Sequence, residues 1–195
     1  MAQKYGSKVV EFLGAPGSGK TTLAHTVFSW LKTTGSNSVF VSEVATDWIN
    51  QGKLPEDQFL VSAEQNHRLY NMLGQYEYIV MDTSLLLGCY YIDMPHSLKK
   101  YREISDDSLQ NAIWSYKATL QYLHTIYDNI TIFKELQDYP HSMVGRIHDK
   151  KQSQQIEYDL KNLLTSLTVP YTIANDIETC KKIICPVQTT ILEKI

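Results

Sequence analysis

The chain has 195 residues, of which 43% are apolar and 20% are charged, and its net charge is −3 at pH 7. This length is enough for one α/β domain with a full core but short for two, so a single domain over residues 1–195 is expected. The slight negative charge excludes a global basic field for nucleic acid or membranes, but it does not exclude a local basic patch.

Targeting signals are not visible in the sequence. No apolar run approaches the ~18 residues of a membrane span, and the first residues, MAQKYGSK, lack the apolar core of a signal peptide. The cysteines, Cys89, Cys180 and Cys185, are too few and too irregular for a disulfide framework. These features predict a cytoplasmic protein with reduced thiols.

The most specific signal is a glycine-rich stretch near the N-terminus. Residues 14–21 read GAPGSGKT and fit G-x-x-x-x-G-K-[ST] at every fixed position, between a β-prone run at 9–13 and a predicted helix at 20–33. In this setting, backbone N–H groups and the helix dipole bind the phosphates of a nucleotide. The expected nucleotide-binding residues are Gly14, Ala15, Pro16, Gly17, Ser18, Gly19, Lys20, Thr21 and Thr22.

Two of these side chains have specific expected roles. Lys20 would reach the β- and γ-phosphates of the nucleotide, and the Thr21 hydroxyl would hold Mg²⁺.

Acidic residues follow the next two predicted strands. Glu43 comes after the strand at 38–42, and Asp82 ends the strand at 78–82. Ligands of an open parallel sheet lie beyond the carboxyl ends of its strands, so both acids are expected near the phosphate site. Asp82 would hold the Mg²⁺ shell, with capping of the next helix as the alternative. Glu43 would act in the reaction unless it is an exposed loop residue.

The remaining chain alternates between helical and β-prone stretches. Helices are predicted at 45–50, 55–73, 108–127 and 154–167, and strands at 129–133 and 170–174. Pro186 interrupts a last helical region, so 187–194 is expected as a separate short helix. The apolar positions expected in the second helix of this series are Phe59, Leu60, Ala63, Leu69 and Met72. This alternation predicts a three-layer α/β sandwich with a parallel sheet of about five strands covered on both faces.

Two basic segments stand outside the predicted core. Residues 96–102 are expected to form a solvated loop, although they could touch phosphates. Residues 135–151 have no clear period, and a cationic segment after strand four is where a kinase lid would lie. In that lid, Arg146 could neutralise charge on a transferring phosphoryl group, with an ordinary surface loop as the alternative.

Several classes of protein that carry a phosphate loop do not match the rest of this sequence. A small GTPase would carry D-x-x-G after strand three, and the sequence there is Asp82-Thr83-Ser84-Leu85. The guanine motif N-K-x-D does not occur either. A hexameric ATPase module usually needs more chain for its helical lid domain. A small-molecule or nucleotide kinase fits best.

Four stretches carry a family resemblance: FLGAPGSGKTTLA, VSEVATD, YIVMDTSLL and YPHSMVGRIHDKKQSQQIEYDLKNLL. Together they resemble the P-loop kinase family that includes the ribosylnicotinamide-kinase domain and related bacteriophage AAA-like proteins. The resemblance implies ATP, Mg²⁺ and a nucleoside-type hydroxyl acceptor, and host cytoplasm for a viral protein. It also favours Arg146 over the other arginines. The chain departs from nucleoside kinases that place arginine after the strand-three acid, because Thr83 stands there.

The resulting hypothesis is a Mg²⁺-ATP-dependent phosphotransferase whose catalytic residues are Lys20, Glu43, Asp82 and Arg146. Glu43, or Asp47 on the following turn, would accept the proton of the acceptor hydroxyl. The remaining candidates for contact with the substrate are Trp48, Tyr90, Tyr91 and Arg102, with the aromatic residues placed to stack on a base.

Two alternatives remain open at this point. The acceptor hydroxyl could belong to DNA or RNA, at a 5′ end or on a hydroxymethylated base, with the backbone bound by Lys99, Lys100, Arg102, Lys150 and Lys151. The protein could instead be an ATPase or nucleotide switch that works through a partner, with Glu43 polarising water. Neither the acceptor nor the oligomeric state follows from the sequence.

Overall fold

The computed structural model describes residues 5–95, 97–104, 107–137 and 149–185. Within these ranges, the strands form one sheet in the order β2-β3-β1-β4-β5. All four pairings between neighbouring strands are parallel. The strand bounds are β1 Lys8–Leu13, β2 Ser38–Val41, β3 Tyr78–Met81, β4 Asp128–Phe133 and β5 Thr172–Ile173.

Helices cover both faces of this sheet. Their bounds in the described residues are α1 Lys20–Thr33, α2 Val44–Asn50, α3 Gln58–Tyr70, α4 Leu87–Tyr91, α5 Lys99–Ile104, α6 Ser108–Ile126, α7 Lys150–Ser166 and α8 Ile177–Ile184. Across the same residues, none of the helices combines the length and the apolar character needed to cross a membrane.

The core lies on both sides of β1, whose side chains alternate between the two faces. Val10 and Phe12 pack with apolar residues of α1 and α8. Val9 packs on the opposite face with residues of α3 and α6, and Leu13 packs there with residues of α7. A central strand buried on both faces reads as a nearly continuous apolar run, as β1 does. The predicted three-layer sandwich with a five-stranded parallel sheet is confirmed.

The last strand is shorter than the sequence predicted. Only Thr172 and Ile173 pair with β4, whereas the prediction extended from 170 to 174. Both residues are exposed at the edge of the sheet. Pro170 has no N–H group to donate to a strand ladder, which limits how far the pairing can extend.

Helix α3 buries only part of the predicted face: Leu69 is buried, and Phe59 and Met72 pack against the core. Leu60, an expected core residue, is 54% exposed, and Ala63 is also exposed. The buried positions are Gln58, Val61, Ser62, Gln65 and Leu69. Most of this face is polar because its first two turns border a cavity with polar walls, and only the last turn reaches the apolar core.

Two other helical assignments differ from the sequence expectations. Helix α7 begins at Lys150, four residues before the predicted start, because Asp149 and Gln152 form a reciprocal capping box. Lys150 and Lys151 therefore belong to a helix and not to the predicted lid. Residues 99–104 form α5 where a loop was expected. The helix predicted at 187–194 lies outside the described residues.

Candidate active site

The phosphate loop connects the central strand β1 to α1 at the carboxyl edge of the sheet. Gly17 and Gly19 have φ angles of 86° and 87°, in the left-handed region that favours glycine. A Cβ atom on Gly14 would lie 2.4 Å from the backbone oxygen of Lys134. These three glycines therefore allow the loop to curl tightly against the end of β4.

Helix α1 begins directly after this loop, at Lys20. Within the described chain, no side chain caps its N-terminus, and its first turn contains no acidic residue. The first N–H groups of the helix and the positive end of its dipole are therefore available to an anion. Lys20 and Thr21 extend from this first turn, as the motif requires.

Asp82 follows β3, beside the loop, and is only 3% exposed. Burial and the nearby charge of Glu43 raise its pKa, while Lys20, the Thr21 hydroxyl and the Glu43 backbone N–H act in the opposite direction. Its Oδ1 atom is buried and has no hydrogen-bond partner among the described residues. A buried carboxylate oxygen without a partner is unfavourable, and a cation would satisfy it. Thr21 and Asp82 thus fit a Mg²⁺ site.

The alternative role of Asp82, as a helix cap, does not match the next helix, because no side chain of the described residues caps α4. Ser84 Oγ accepts a hydrogen bond from the Leu86 backbone N–H, just before α4, at 3.2 Å. This bond closes a local turn before the helix and is not a helix cap.

Glu43 lies between β2 and α2. Its Oε2 atom accepts a hydrogen bond from Thr46 Oγ1 at 2.6 Å. The chain around it is held by Gln65 of α3, which accepts from the Val44 N–H at 2.9 Å and donates to the Ser42 oxygen at 3.2 Å. The position of Glu43 is therefore set from both sides by one buried amide.

A cavity of about 340 Å³ connects these elements. One wall is the phosphate loop and the start of α1, including Lys20 and Thr21, and a second wall contains Glu43. The polar face of α3 and the chain from Thr83 to Tyr91 close the remaining sides. Lys20 and Thr21 of the predicted donor site and Glu43 thus border the same cavity.

Among the predicted substrate residues, Tyr91 lines this cavity, and burial together with the charge of Glu43 raises its pKa. Tyr90 packs edge-on against Tyr91, with ring centroids 5.2 Å apart, but points toward α7. Its hydroxyl donates to Asp159 Oδ2 at 3.4 Å. Trp48 is not one of the residues that line the cavity.

Asp47 and Arg102 are engaged elsewhere. Asp47 Oδ2 accepts hydrogen bonds from Arg68 at 2.5 Å and from Ser42 Oγ at 2.8 Å. Arg102 donates to the backbone oxygens of Ser97 and Ile92, at 2.9 and 3.1 Å. Neither side chain lines the cavity. Both are used to join neighbouring segments of the fold.

Arg146 and most of the predicted lid, residues 138–148, lie outside the described residues. The beginning of the lid segment is bound to α7. Lys161 Nζ lies 2.8 Å from Glu135 Oε1, and the Leu136 N–H donates to Glu157 Oε2.

Lys134 is a candidate site residue that the sequence analysis missed. It follows β4 directly and is 4% exposed, and burial lowers its pKa despite the acidic groups nearby. Its Nζ atom lies 3.3 Å from the Glu135 oxygen and 3.4 Å from Asn175 Oδ1. Its Cε atom would lie 4.0 Å from a Cβ on Gly19, so this cation sits beside the phosphate loop. The available signal was a charged residue directly after a buried strand.

The polar face of α3 was also missed. Gln58, Ser62 and Gln65 are spaced at i, i+4 and i+7, which places them on one side of a helix. All three are buried, and all three line the cavity. The helical spacing of these three uncharged polar residues was the signal that could have located this wall.

Comparisons with known proteins agree with this architecture. A family model described as "AAA domain" matches residues 9–179. No curated protein sequence matches the chain significantly. The thymidylate kinase structure from Ehrlichia chaffeensis has a TM-score of 0.53 and 14% identity, and the match covers 95% of this chain and 99% of that one.

The APS kinase CysC structure from Mycobacterium tuberculosis shows 13% identity and a TM-score of 0.39, over 82% of this chain and 98% of that one. Similarities this distant concern the fold alone, and the second is too weak to support an argument. The family match, in contrast, covers well over half of the sequence. The chain therefore belongs to the AAA domain family and has the fold of the P-loop kinases.

Proposed function

We propose that the protein is an ATP-dependent phosphotransferase that moves the γ-phosphoryl group to a hydroxyl of a nucleoside-type acceptor. The observation that carries this proposal is the shared cavity, which Lys20, Thr21 and Glu43 all line. Hydrolysis needs room only for water beside the γ-phosphate. A cavity of about 340 Å³ has room for a small organic acceptor.

The donor side of the site would bind the triphosphate. The loop N–H groups and Lys20 would bind the β- and γ-phosphates. Thr21 and Asp82 would hold Mg²⁺, which supplies charge neutralisation on the phosphate oxygens when it is bound. ATP is the proposed donor because the sequence lacks the guanine motif.

Glu43 is the proposed base on the acceptor side. The acceptor oxygen would form a bond to the γ-phosphorus, the bond to the bridging oxygen would break, and ADP would leave. The hydroxyl proton would pass to Glu43, whose carboxylate Thr46 orients. Positioning and charge neutralisation supply most of the rate in such reactions.

Asp47 is the weaker candidate for the base. Burial alone would raise its pKa, but hydrogen bonds from Arg68 and Ser42 outweigh burial and leave the pKa lowered. A carboxylate held in its ionised form by a nearby arginine is a poor proton acceptor. The role of Arg146 in closing over the γ-phosphate remains a proposal from the sequence.

The test is transfer of label from γ-labelled ATP to a panel of nucleosides, nucleotides, ribosylnicotinamide and hydroxymethylated DNA. We expect a labelled acceptor with the native protein and none with Lys20→Ala, which should keep the native circular dichroism. Lys32→Ala, in the last turn of the same helix, is the matched control and should stay active. Full activity of Lys20→Ala would refute the scheme. ADP release without any labelled acceptor would favour the ATPase alternative.

A further inference from the structure

We infer that the acceptor bound in this cavity carries no phosphate or other anionic group, so that it is a free nucleoside-type molecule and not a nucleotide or a nucleic acid. The inference rests on the proposed phosphotransfer and defines the substrate class for that same site. It follows from the charges and hydrogen-bonding groups of the cavity walls.

Positive charge is scarce in these walls. Among the described residues that line the cavity, Lys20 is the only lysine or arginine, and Glu43 is the only acidic residue. Lys20 belongs to the phosphate loop and is assigned to the donor. Proteins bind a phosphate with arginine, lysine or converging N–H groups. A second phosphate, on the acceptor, would face the Glu43 carboxylate without a cation of its own.

Three cations on the surrounding helices are already engaged. Arg68 of α3 binds Asp47 and Glu64, and Lys117 of α6 lies 2.5 Å from Asp93 Oδ2. Arg102 of α5 donates to two backbone oxygens. A phosphate could recruit any of them only by breaking contacts that join these helices.

The helix ends near the cavity do not replace the missing cations. The Asp57 side chain caps α3 by accepting a hydrogen bond from the Leu60 N–H at 3.1 Å, so a carboxylate already occupies that end. At the short helix α4, the first three N–H groups already donate to the backbone oxygens of Ser84, Leu85 and Leu86. At the start of α2, the Val44 N–H donates to Gln65 Oε1, and Glu43 is the N-cap residue, so an anionic acceptor would meet a carboxylate there.

Two polar groups of the walls, those of Ser62 and Glu43, present hydrogen-bond acceptors to the cavity. Tyr116 Oη donates its proton to the Gln58 backbone oxygen at 2.9 Å. The Ser62 hydroxyl, 2.5 Å from Tyr116 Oη, must then donate its own proton to that oxygen. Ser62 Oγ consequently offers only lone pairs to the cavity, and the Glu43 carboxylate also accepts. Hydroxyl and N–H donors suit these groups, whereas anionic oxygens do not.

The size of the cavity and the apolar residues in its walls agree with a free nucleoside-type acceptor. Ile49, Val61 and Leu87 line the cavity and can cover the faces of a ring. A volume of about 340 Å³ is near the lower limit of small-molecule sites, roughly 300 Å³. A nucleic-acid strand needs a groove of positive charge that follows its backbone, which these walls do not provide.

The experiment compares matched acceptors with γ-labelled ATP. Each common nucleoside and ribosylnicotinamide is tested beside its own 3′- and 5′-monophosphate and beside an oligonucleotide with a 5′ hydroxyl. We expect kcat/KM for the best free nucleoside to exceed that of its monophosphates by about a hundredfold, because like charges in one site cost several kcal/mol. Raising the salt concentration should leave the KM of the nucleoside unchanged.

The possible outcomes distinguish failure of the inference about the acceptor from failure of the proposed phosphotransfer. Labelling of a monophosphate or the oligonucleotide as efficiently as the nucleosides would overturn the inference and keep phosphotransfer. Release of ADP with no labelled acceptor in either set would overturn the proposed function itself, and the inference with it.

A designed variant tests the charge argument independently. Ile49→Lys adds a cation to the cavity wall and should raise the ratio of monophosphate to nucleoside labelling by about tenfold. Ile183→Lys, on the half-buried part of α8, is the matched control and should leave this ratio unchanged. An unchanged ratio in folded Ile49→Lys would count against the inference, and the comparison in the native protein decides the question if this variant does not fold.

Discussion

Gln65 Oε1 accepts a hydrogen bond from the Val44 backbone N–H at 2.9 Å, so α3 holds the first turn of α2. The Nε2 atom of the same side chain donates to the Ser42 oxygen at 3.2 Å. Glu43 lies between these two attachment points. The buried amide of Gln65 thus connects the cavity wall to the proposed base, and we assign it as a positioning residue.

Gln65→Leu should lower kcat by about tenfold or more while nucleotide binding stays unchanged, because Glu43 loses its support but the phosphate loop does not. The variant also leaves the Val44 N–H without a partner and removes one of two donors to the Ser42 oxygen, which should cost roughly 1–3 kcal/mol of folding free energy. Steady-state kinetics and urea unfolding measure the two effects. Gln110→Leu, at an exposed position of α6, is the control. A normal kcat in Gln65→Leu would remove the positioning role.

Asp82→Asn should separate stability from metal binding. The pKa of Asp82 is raised, chiefly by burial, so the folded protein favours the protonated carboxyl group. The stabilisation from this bound proton is lost as the pH rises through the raised pKa, and ionisation of Asp82 therefore opposes folding. The neutral variant should therefore be at least as stable as the native protein without ligand. When Mg²⁺ and nucleotide are added, only the native protein should gain stability. The expected gain is about 2.7 kcal/mol when the nucleotide concentration is a hundred times the Kd of the nucleotide.

Thermal unfolding with and without Mg²⁺-ADP measures this difference, and EDTA should abolish the gain in the native protein. Asp128→Asn, at the exposed start of β4, is the matched control and should behave as the native protein. A gain in Asp82→Asn equal to that of the native protein would show that Asp82 does not hold the metal.

Gly88→Ala should destabilise the protein and narrow the acceptor cavity. A Cβ on Gly88 would lie 2.5 Å from both Ser62 Oγ and Tyr116 Oη, and 2.7 Å from Leu120 Cδ1. Overpacking of this kind costs about 1–3 kcal/mol. Urea unfolding measures the loss, and adding Tyr116→Phe should restore part of it by removing one of the crowded oxygens. Strictly additive effects in the double variant would contradict this geometry.

A buried pair in the core predicts a pH-dependent stability. Glu11 Oε1 accepts hydrogen bonds from His124 Nε2 and from Thr131 Oγ1, both at 2.7 Å. Burial alone would lower the pKa of His124, but the bond to Glu11 and its charge outweigh burial and raise the pKa. The folded protein thus binds the proton more tightly than the unfolded chain does.

The contribution of His124 is complete below its unfolded pKa of 6.5 and disappears as the pH rises through the raised pKa of the folded state. Its size should be about 1.5–3 kcal/mol, as for a hydrogen bond to a charged group. Urea unfolding across this pH range should show the fall in the native protein and a flatter curve in His124→Gln. His67→Gln, at an exposed position of α3, should keep the native curve.

Local patterns predicted the sheet and the donor half of the site. Residues 14–21 form a phosphate loop from their own glycines, and the acids after two buried strands predicted Glu43 and Asp82 near it. These predictions depend on contacts between residues close in sequence and on the shared carboxyl edge of a parallel sheet. The loop and strand positions were therefore accessible without a structure.

The acceptor half could not be predicted in the same way. Leu60 was expected in the core and is exposed, whereas Gln58, Ser62 and Gln65 are buried, because the packing of α3 against α2, α4 and α6 decides which face points inward. Likewise, Asp47 is an acidic residue on the turn that follows Glu43, as a base would need to be. Arg68, 21 residues later in the chain, binds its carboxylate and holds it away from the cavity.

The sequence by itself thus determined the phosphate loop, the parallel sheet and the acids at its carboxyl edge, since each depends on short-range pattern and strand order. Only the tertiary structure decided that Lys134 lies beside the loop, that α3 supplies a polar wall, and that the walls of the cavity carry one lysine and one carboxylate within the described residues. These features arise where segments far apart in the chain meet, so the spacing of residues within one segment does not decide which face points inward.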